Sequence, residues 1–64
     1  MAIQLKAARV NANLTQEEAA KEAGISKGTL ASYEAYKTKP DIETAKKLAS
    51  IYNMSVDDII FFAN

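Results

Sequence analysis

With neither cysteine nor histidine in its 64 residues, this chain confines its chemistry to carboxylates, amines, hydroxyls and phenols. The common nucleophile–base pairs are therefore missing, as are disulfides and the usual ligands of a transition metal. The most suggestive acids are Asp57 and Asp58, which are adjacent. On a helix, neighbours diverge by about 100°, so these two cannot face a substrate together. They read better as charges complementing the dipole at a helix N-terminus. No glycine-rich phosphate loop is present. The residue types point away from catalysis, call for no cofactor or metal, and leave binding as the function to be explained.

Charge and size narrow what could be bound. Eight basic and eight acidic residues cancel, a balance that weighs against a nucleic-acid partner. Their distribution is uneven: residues 1–40 carry six basic and four acidic side chains, residues 41–64 two basic and four acidic. A chain this short buries only about 60% of its unfolded surface, so its core is small. The longest apolar run, Ile59 to Ala63, is far too short to span a membrane. The N-terminal MAIQLKAARV lacks the apolar stretch of a signal peptide. A cytoplasmic protein with no membrane partner is expected.

The elements that must position any site are helical; no repeat and no strand-like alternation is evident. Caps mark five helices in one all-α domain spanning 1–64. The first runs from about Ala2 to Asn11, with Leu5, Ala8 and Ala12 on one face. Thr15-Gln16-Glu17-Glu18 is a capping box that opens the second. Ser26 caps the third, and Asp41, after Pro40, opens the fourth at about 42–52, with Ile42, Ala45, Leu48, Ala49 and Tyr52 at helical spacing. Ser55 opens the fifth at about 56–62, with Val56, Ile59, Ile60 and Ala63 on one stripe. Asn13 and Asn53 stand where the chain must leave a helix in the left-handed conformation.

Between the second and third helices, Ala19, Ala20 and Ala23 form a face small enough for another helix to approach closely. Gly24 permits a turn that a Cβ would obstruct, Ile25 plugs the corner, and Leu30 and Tyr33 give the third helix a buried face. Two helices and a tight turn follow, rather than one damaged helix. The segment QEEAAKEAGISKGTLASYEA, residues 16–35, resembles the helix-turn-helix of the phage-repressor family, the lambda-repressor-like, Cro/C1-type (XRE) DNA-binding domains. Ala20, Gly24, Ile25, Leu30 and Tyr33 fill the fifth, ninth, tenth, fifteenth and eighteenth places of that motif. LTQEE before it, YE-x-x-K-x-K-P after it and SVDDII near the end match as well, so the resemblance covers roughly residues 3–62.

The resemblance implies a compact five-helix fold whose third helix, about residues 27–35, lies in the major groove of double-stranded DNA. Lys27, Gly28, Thr29 and Ser32 are then the base-reading positions, and Ala31 could touch a thymine methyl. The family commonly carries longer polar side chains at some of these places, so part of the specificity is expected from DNA shape. The same carry-over makes Gln16, Ser26, Tyr36, Lys37, Thr38 and Lys39 phosphate contacts. It also pairs Arg9 with Glu34, which the helical wheel sets on the buried side beside Leu30. Where Tyr36 stands, the family usually has Gly or Asn. Either the third helix ends differently here, or the ring serves against DNA backbone or a partner chain.

The family often dimerises through its last helix, which assigns Ile59, Phe61 and Phe62 to a homodimer contact and implies an inverted-repeat operator. The other arrangement places one Phe in the core and one on the surface; the chain could also be a fragment of a longer regulator. The resulting expectation is a small transcriptional regulator, a repressor acting by promoter occlusion. The alternative is an antitoxin-like or adaptor module that uses the same fold to bind protein, favoured by the zero net charge and the alanine-rich outer face of the third helix.

Overall fold

The structure, a computed structural model, describes residues 1–62. In chain order it comprises β1 (Ile3–Gln4), α1 (Leu5–Asn11), α2 (Gln16–Ala23), α3 (Lys27–Glu34), α4 (Ile42–Ile51), a single 3-10 turn (Val56–Asp58) and β2 (Ile59–Ile60). α2 packs against both α3 and α4, while α1 touches α3 and β2. Leu5, Leu30 and Leu48 are fully buried at the centre. The α2 alanines Ala19, Ala20 and Ala23 and the α4 alanines Ala45 and Ala49 are buried around them. Small side chains let the helix axes approach, so leucines from three different helices meet at the centre of a short chain.

Local chemistry fixes where these helices begin and end. At α2 the Thr15 hydroxyl accepts from the Glu18 N–H at 3.1 Å and the Glu18 carboxylate accepts from the Thr15 N–H at 2.9 Å. This reciprocal pair holds the Glu18 carboxyl below its ordinary pKa, the Thr15 backbone bond being the larger cause. Ser26 and Asp41 cap α3 and α4 by accepting from Thr29 N–H at 3.0 Å and Thr44 N–H at 2.8 Å. Gly24 ends α2 at φ 72°. A Cβ there would meet nothing within 4 Å, so conformation rather than space asks for glycine. Asn13 and Asn53 take φ of 61° and 60° as they leave α1 and α4.

Both ends of the chain depart from the all-helical expectation. The first helix starts at Leu5 rather than near Ala2, because Ile3–Gln4 pairs in parallel with Ile59–Ile60. The fifth helix is not formed over 56–62: a three-residue 3-10 turn leads directly into β2. Ser55 does not cap with its side chain; its hydroxyl donates instead to the Asp58 carboxylate at 3.0 Å. The β-branched and aromatic residues that follow fit an extended pleated surface. Burial accordingly alternates: Ile59 and Phe61 are buried, Ile60 and Phe62 exposed. The helical stripe inferred through Val56, Ile59 and Ile60 is thereby replaced, and its last member, Ala63, lies outside the described residues. Ile42 also departs from expectation, being 61% exposed at the first turn of α4.

Tyr52, 4% exposed, packs its ring in the core, and its hydroxyl finds no hydrogen-bond partner among the described residues. Burial, with a smaller contribution from the Glu34 charge, pushes its phenol up to about 12. A buried donor without a partner carries a desolvation cost of about 1–3 kcal/mol. Tyr52→Phe removes that group without altering the ring. It is expected to raise stability by about 1 kcal/mol, moving the thermal midpoint up by roughly 4–8 °C in a domain of this size. A calorimetric melt that falls instead would show that the hydroxyl is satisfied by buried water.

Candidate functional site

α3 is held from behind by a buried charge pair. The Arg9 Nε donates to Glu34 Oε2 at 2.7 Å and its Nη2 to Glu34 Oε1 at 3.3 Å, a bidentate contact with both side chains at most 10% exposed. The third donor, Nη1, reaches the Leu14 carbonyl at 2.8 Å, tying the loop between α1 and α2 into the same node. Gln16 completes it: its amide Nε2 donates to Glu34 Oε1 at 2.8 Å. One carboxylate on α3 thus fixes α1 and the start of α2 together. The multiple donors are what make a buried carboxylate tolerable.

Of the positions singled out in the sequence, the structure brings Gln16 and Lys27 to one hollow beside this node. Lys27 and Gly28 are exposed at the start of α3, whereas Thr29, Ala31 and Ser32 are half-buried. Thr29 is partly occupied locally, its hydroxyl lying 2.8 Å from that of the cap Ser26. At Gly28 an added Cβ would meet only the Ser26 Oγ, at 4.0 Å, so the helix surface there is bare. Gln16 keeps its second amide hydrogen for an outside acceptor. It shares a shallow hollow with Lys6, Thr15, Glu17 and Lys27. Such a hollow, at a helix N-terminus and flanked by two lysines, suits an anion. Lys6 escaped the sequence reading; its signal was its spacing, one turn before Arg9 on α1. Beyond the other end of α3, Lys37, Thr38 and Lys39 are exposed.

Tyr36 has the left-handed backbone that the family's Gly or Asn would take. α3 ends at Glu34 with Ala35 as its cap, and Tyr36 follows at φ 60°. That conformation costs a residue with a Cβ roughly 1–2 kcal/mol. Its hydroxyl donates to the Ile60 carbonyl at 3.1 Å, so the donor is already engaged inside the chain rather than free for a phosphate. Of the three residues assigned to a dimer contact, Ile59 and Phe61 sit in the protomer core at 5% and 4% exposure. Phe62 is 59% exposed. Any interface at this segment therefore has Ile60 and Phe62 to work with.

Removing one partner of the node leaves a charge buried. Arg9→Met is expected to cost about 3 kcal/mol, a large share of the stability of a domain this small. Combining it with Glu34→Leu should return most of that loss, since no charge is then stranded. Urea denaturation of the two variants checks this; a double variant no more stable than Arg9→Met would contradict it.

Comparison with known proteins places this geometry. A helix-turn-helix family model matches residues 5–59. The chain is 36% identical over 62 residues to an HTH-type transcriptional regulator of Archaeoglobus fulgidus, spanning 97% of this chain and 87% of that one. It is 41% identical over 56 residues to the HTH-type transcriptional regulator ImmR of Bacillus subtilis, which covers 88% of this chain but 44% of that protein. It is 36% identical over 52 residues to the cryptic phage CTXphi transcriptional repressor RstR of Vibrio cholerae, 81% of this chain and 47% of that one.

Proposed function

Because the chain belongs to the helix-turn-helix family that includes these regulators, we propose that it is a sequence-specific double-stranded DNA-binding transcriptional regulator working in the cytoplasm. α3 enters the major groove with Lys27, Gly28, Thr29 and Ser32 toward base edges. Gln16, Ser26 and Lys6 approach phosphate at one end of α3, and Lys37, Thr38 and Lys39 at the other. The observation that carries this reading is the orientation of α3. Its inner side is fastened by Glu34 to Arg9 and Gln16, and its small-residue outer side, exposed at Gly28 and Ala35 and half-buried at Ala31 and Ser32, lies between two basic margins. Phosphate contacts at both margins set the register. The few polar groups between them read bases, and the short side chains let the helix backbone come close to the duplex.

The regulator acts as a homodimer on an inverted repeat and represses by occupying a promoter. Half-sites read from one face of the duplex lie ~34 Å apart. A protomer whose Cα atoms extend 26 Å along its longest axis meets its partner there only at an edge. Ile60 and Phe62, exposed at 37% and 59%, supply apolar surface for such an edge contact.

Selection of bound duplexes from a randomised pool at physiological salt is expected to enrich an inverted repeat with half-sites about one turn apart. Recovery of unenriched pool sequence would overturn base reading and leave the α3 face to a protein partner. Gly28→Ala sharpens the test. In the free protein the new Cβ has room and should add up to about 1 kcal/mol of helix stability. On the selected duplex the same Cβ should weaken binding or shift the preferred base beside it, read by competition binding. Tighter or unchanged binding would place Gly28 away from the groove.

A further inference from the structure

Lys37, Thr38 and Lys39 form an exposed loop between the half-buried Tyr36 and the buried Pro40. Among the described residues its backbone bonds outside regular elements are the Tyr36 N–H to the Tyr33 carbonyl at 3.1 Å and the Lys37 N–H to the Ser32 carbonyl at 3.0 Å. Among the described residues, the backbones of Thr38 and Lys39 make no such bond outside regular elements. Two side-chain contacts nevertheless fasten the loop, one at each end, and both land on the same short segment. Tyr36 donates to the Ile60 carbonyl, and the Lys39 ammonium lies over the Phe62 ring, 5.5 Å from its centroid.

We propose that β2, together with the Phe61-Phe62 segment that follows it, is the platform that positions this phosphate-facing loop, with Tyr36 and Phe62 as positioning residues that act through the loop lysines. The inference rests on the DNA-binding reading above. The platform is firm because its alternate residues, Ile59 and Phe61, are buried and Ile59–Ile60 is paired to Ile3–Gln4. The period of a strand then turns Ile60 and Phe62 the other way, toward solvent and the loop. Tyr36 is the telling residue. A left-handed turn is most easily made by glycine, which has no Cβ to strain. Tyrosine at φ 60° accepts that strain and provides what glycine cannot, a hydroxyl reaching a carbonyl 24 residues away. The Phe62 ring, in turn, locates the Lys39 charge without neutralising it, as an acid would, so the ammonium remains available to a phosphate.

Binding of the full chain to a mixed-sequence duplex, followed across 50–200 mM salt, tests the idea without needing an operator. Each phosphate contact adds roughly 0.9 to the steepness of log K against log salt. Lys37→Ala/Lys39→Ala sets the scale, with the slope expected to fall by about two contacts. Tyr36→Gly is expected to remain folded by circular dichroism yet bind roughly tenfold more weakly, its slope shallower by one to two contacts. Tyr36→Phe, which keeps the ring and backbone but loses the hydroxyl, and Phe62→Leu, which keeps the apolar surface but loses the ring, should move the same way. In the Lys37→Ala/Lys39→Ala background, Tyr36→Gly should then cost nothing further. Variants that bind with the parental affinity and slope would overturn the platform while leaving DNA binding intact. A parent chain that shows no salt-dependent binding to the duplex would overturn the DNA reading itself.

Discussion

The buried carboxylate of Glu34 is the constraint on which the rest of the arrangement depends. A charge at that depth is tolerable only with several donors, and they come from different parts of the chain: the Arg9 guanidinium on α1 and the Gln16 amide at the start of α2. Satisfying it therefore fixes the relative placement of three helices. Hydrophobic burial alone would not do so with so few large side chains, because an alanine-rich face slides and rotates at little cost. The ion pair adds direction to a core that otherwise supplies only proximity. Part of the donor set, Gln16, also borders the basic hollow, so the same contact that organises the interior aims the surface.

Much of this organisation was legible in the sequence because its determinants are local. Thr15, Ser26 and Asp41 are caps acting within three residues of themselves, and Gly24, Asn13 and Asn53 mark left-handed turns by their own side-chain chemistry. The position of Glu34 on the inner side of α3 could be read from a helical wheel. Its partner is twenty-five positions away and came only through resemblance to a family. Lys6 went unnoticed because a spacing of one turn from Arg9 is as ordinary for a solvated lysine as for one lining this hollow.

The C-terminal segment was misread for a definite reason. Val56, Ile59 and Ile60 satisfy a helical spacing, while Ile59 and Phe61 satisfy the spacing of a strand. In so short a run, periodicity cannot separate the two. The decision was made elsewhere, by Ile3 and Gln4, whose backbone offers the pairing that a fifth helix would forgo. Tyr36 shows the same kind of blindness. Its position just after α3 signalled an unusual backbone, but the carbonyl that gives its hydroxyl a purpose belongs to a segment that had been assigned to a different structure.

The parallel pairing of Ile3 with Ile59 has a consequence for how the molecule comes into being. The helices can form and collapse through contacts close in the chain, which is fast. The pairing of the two strands encloses residues 5–58 in one loop, and closing a loop costs more entropy the longer it is. During synthesis, the first strand waits unpaired until Ile59 and Ile60 have emerged. Only then does the loop after α3 acquire its support. The helix pair can therefore form before the strand pairing on which the segment around Ile60 depends.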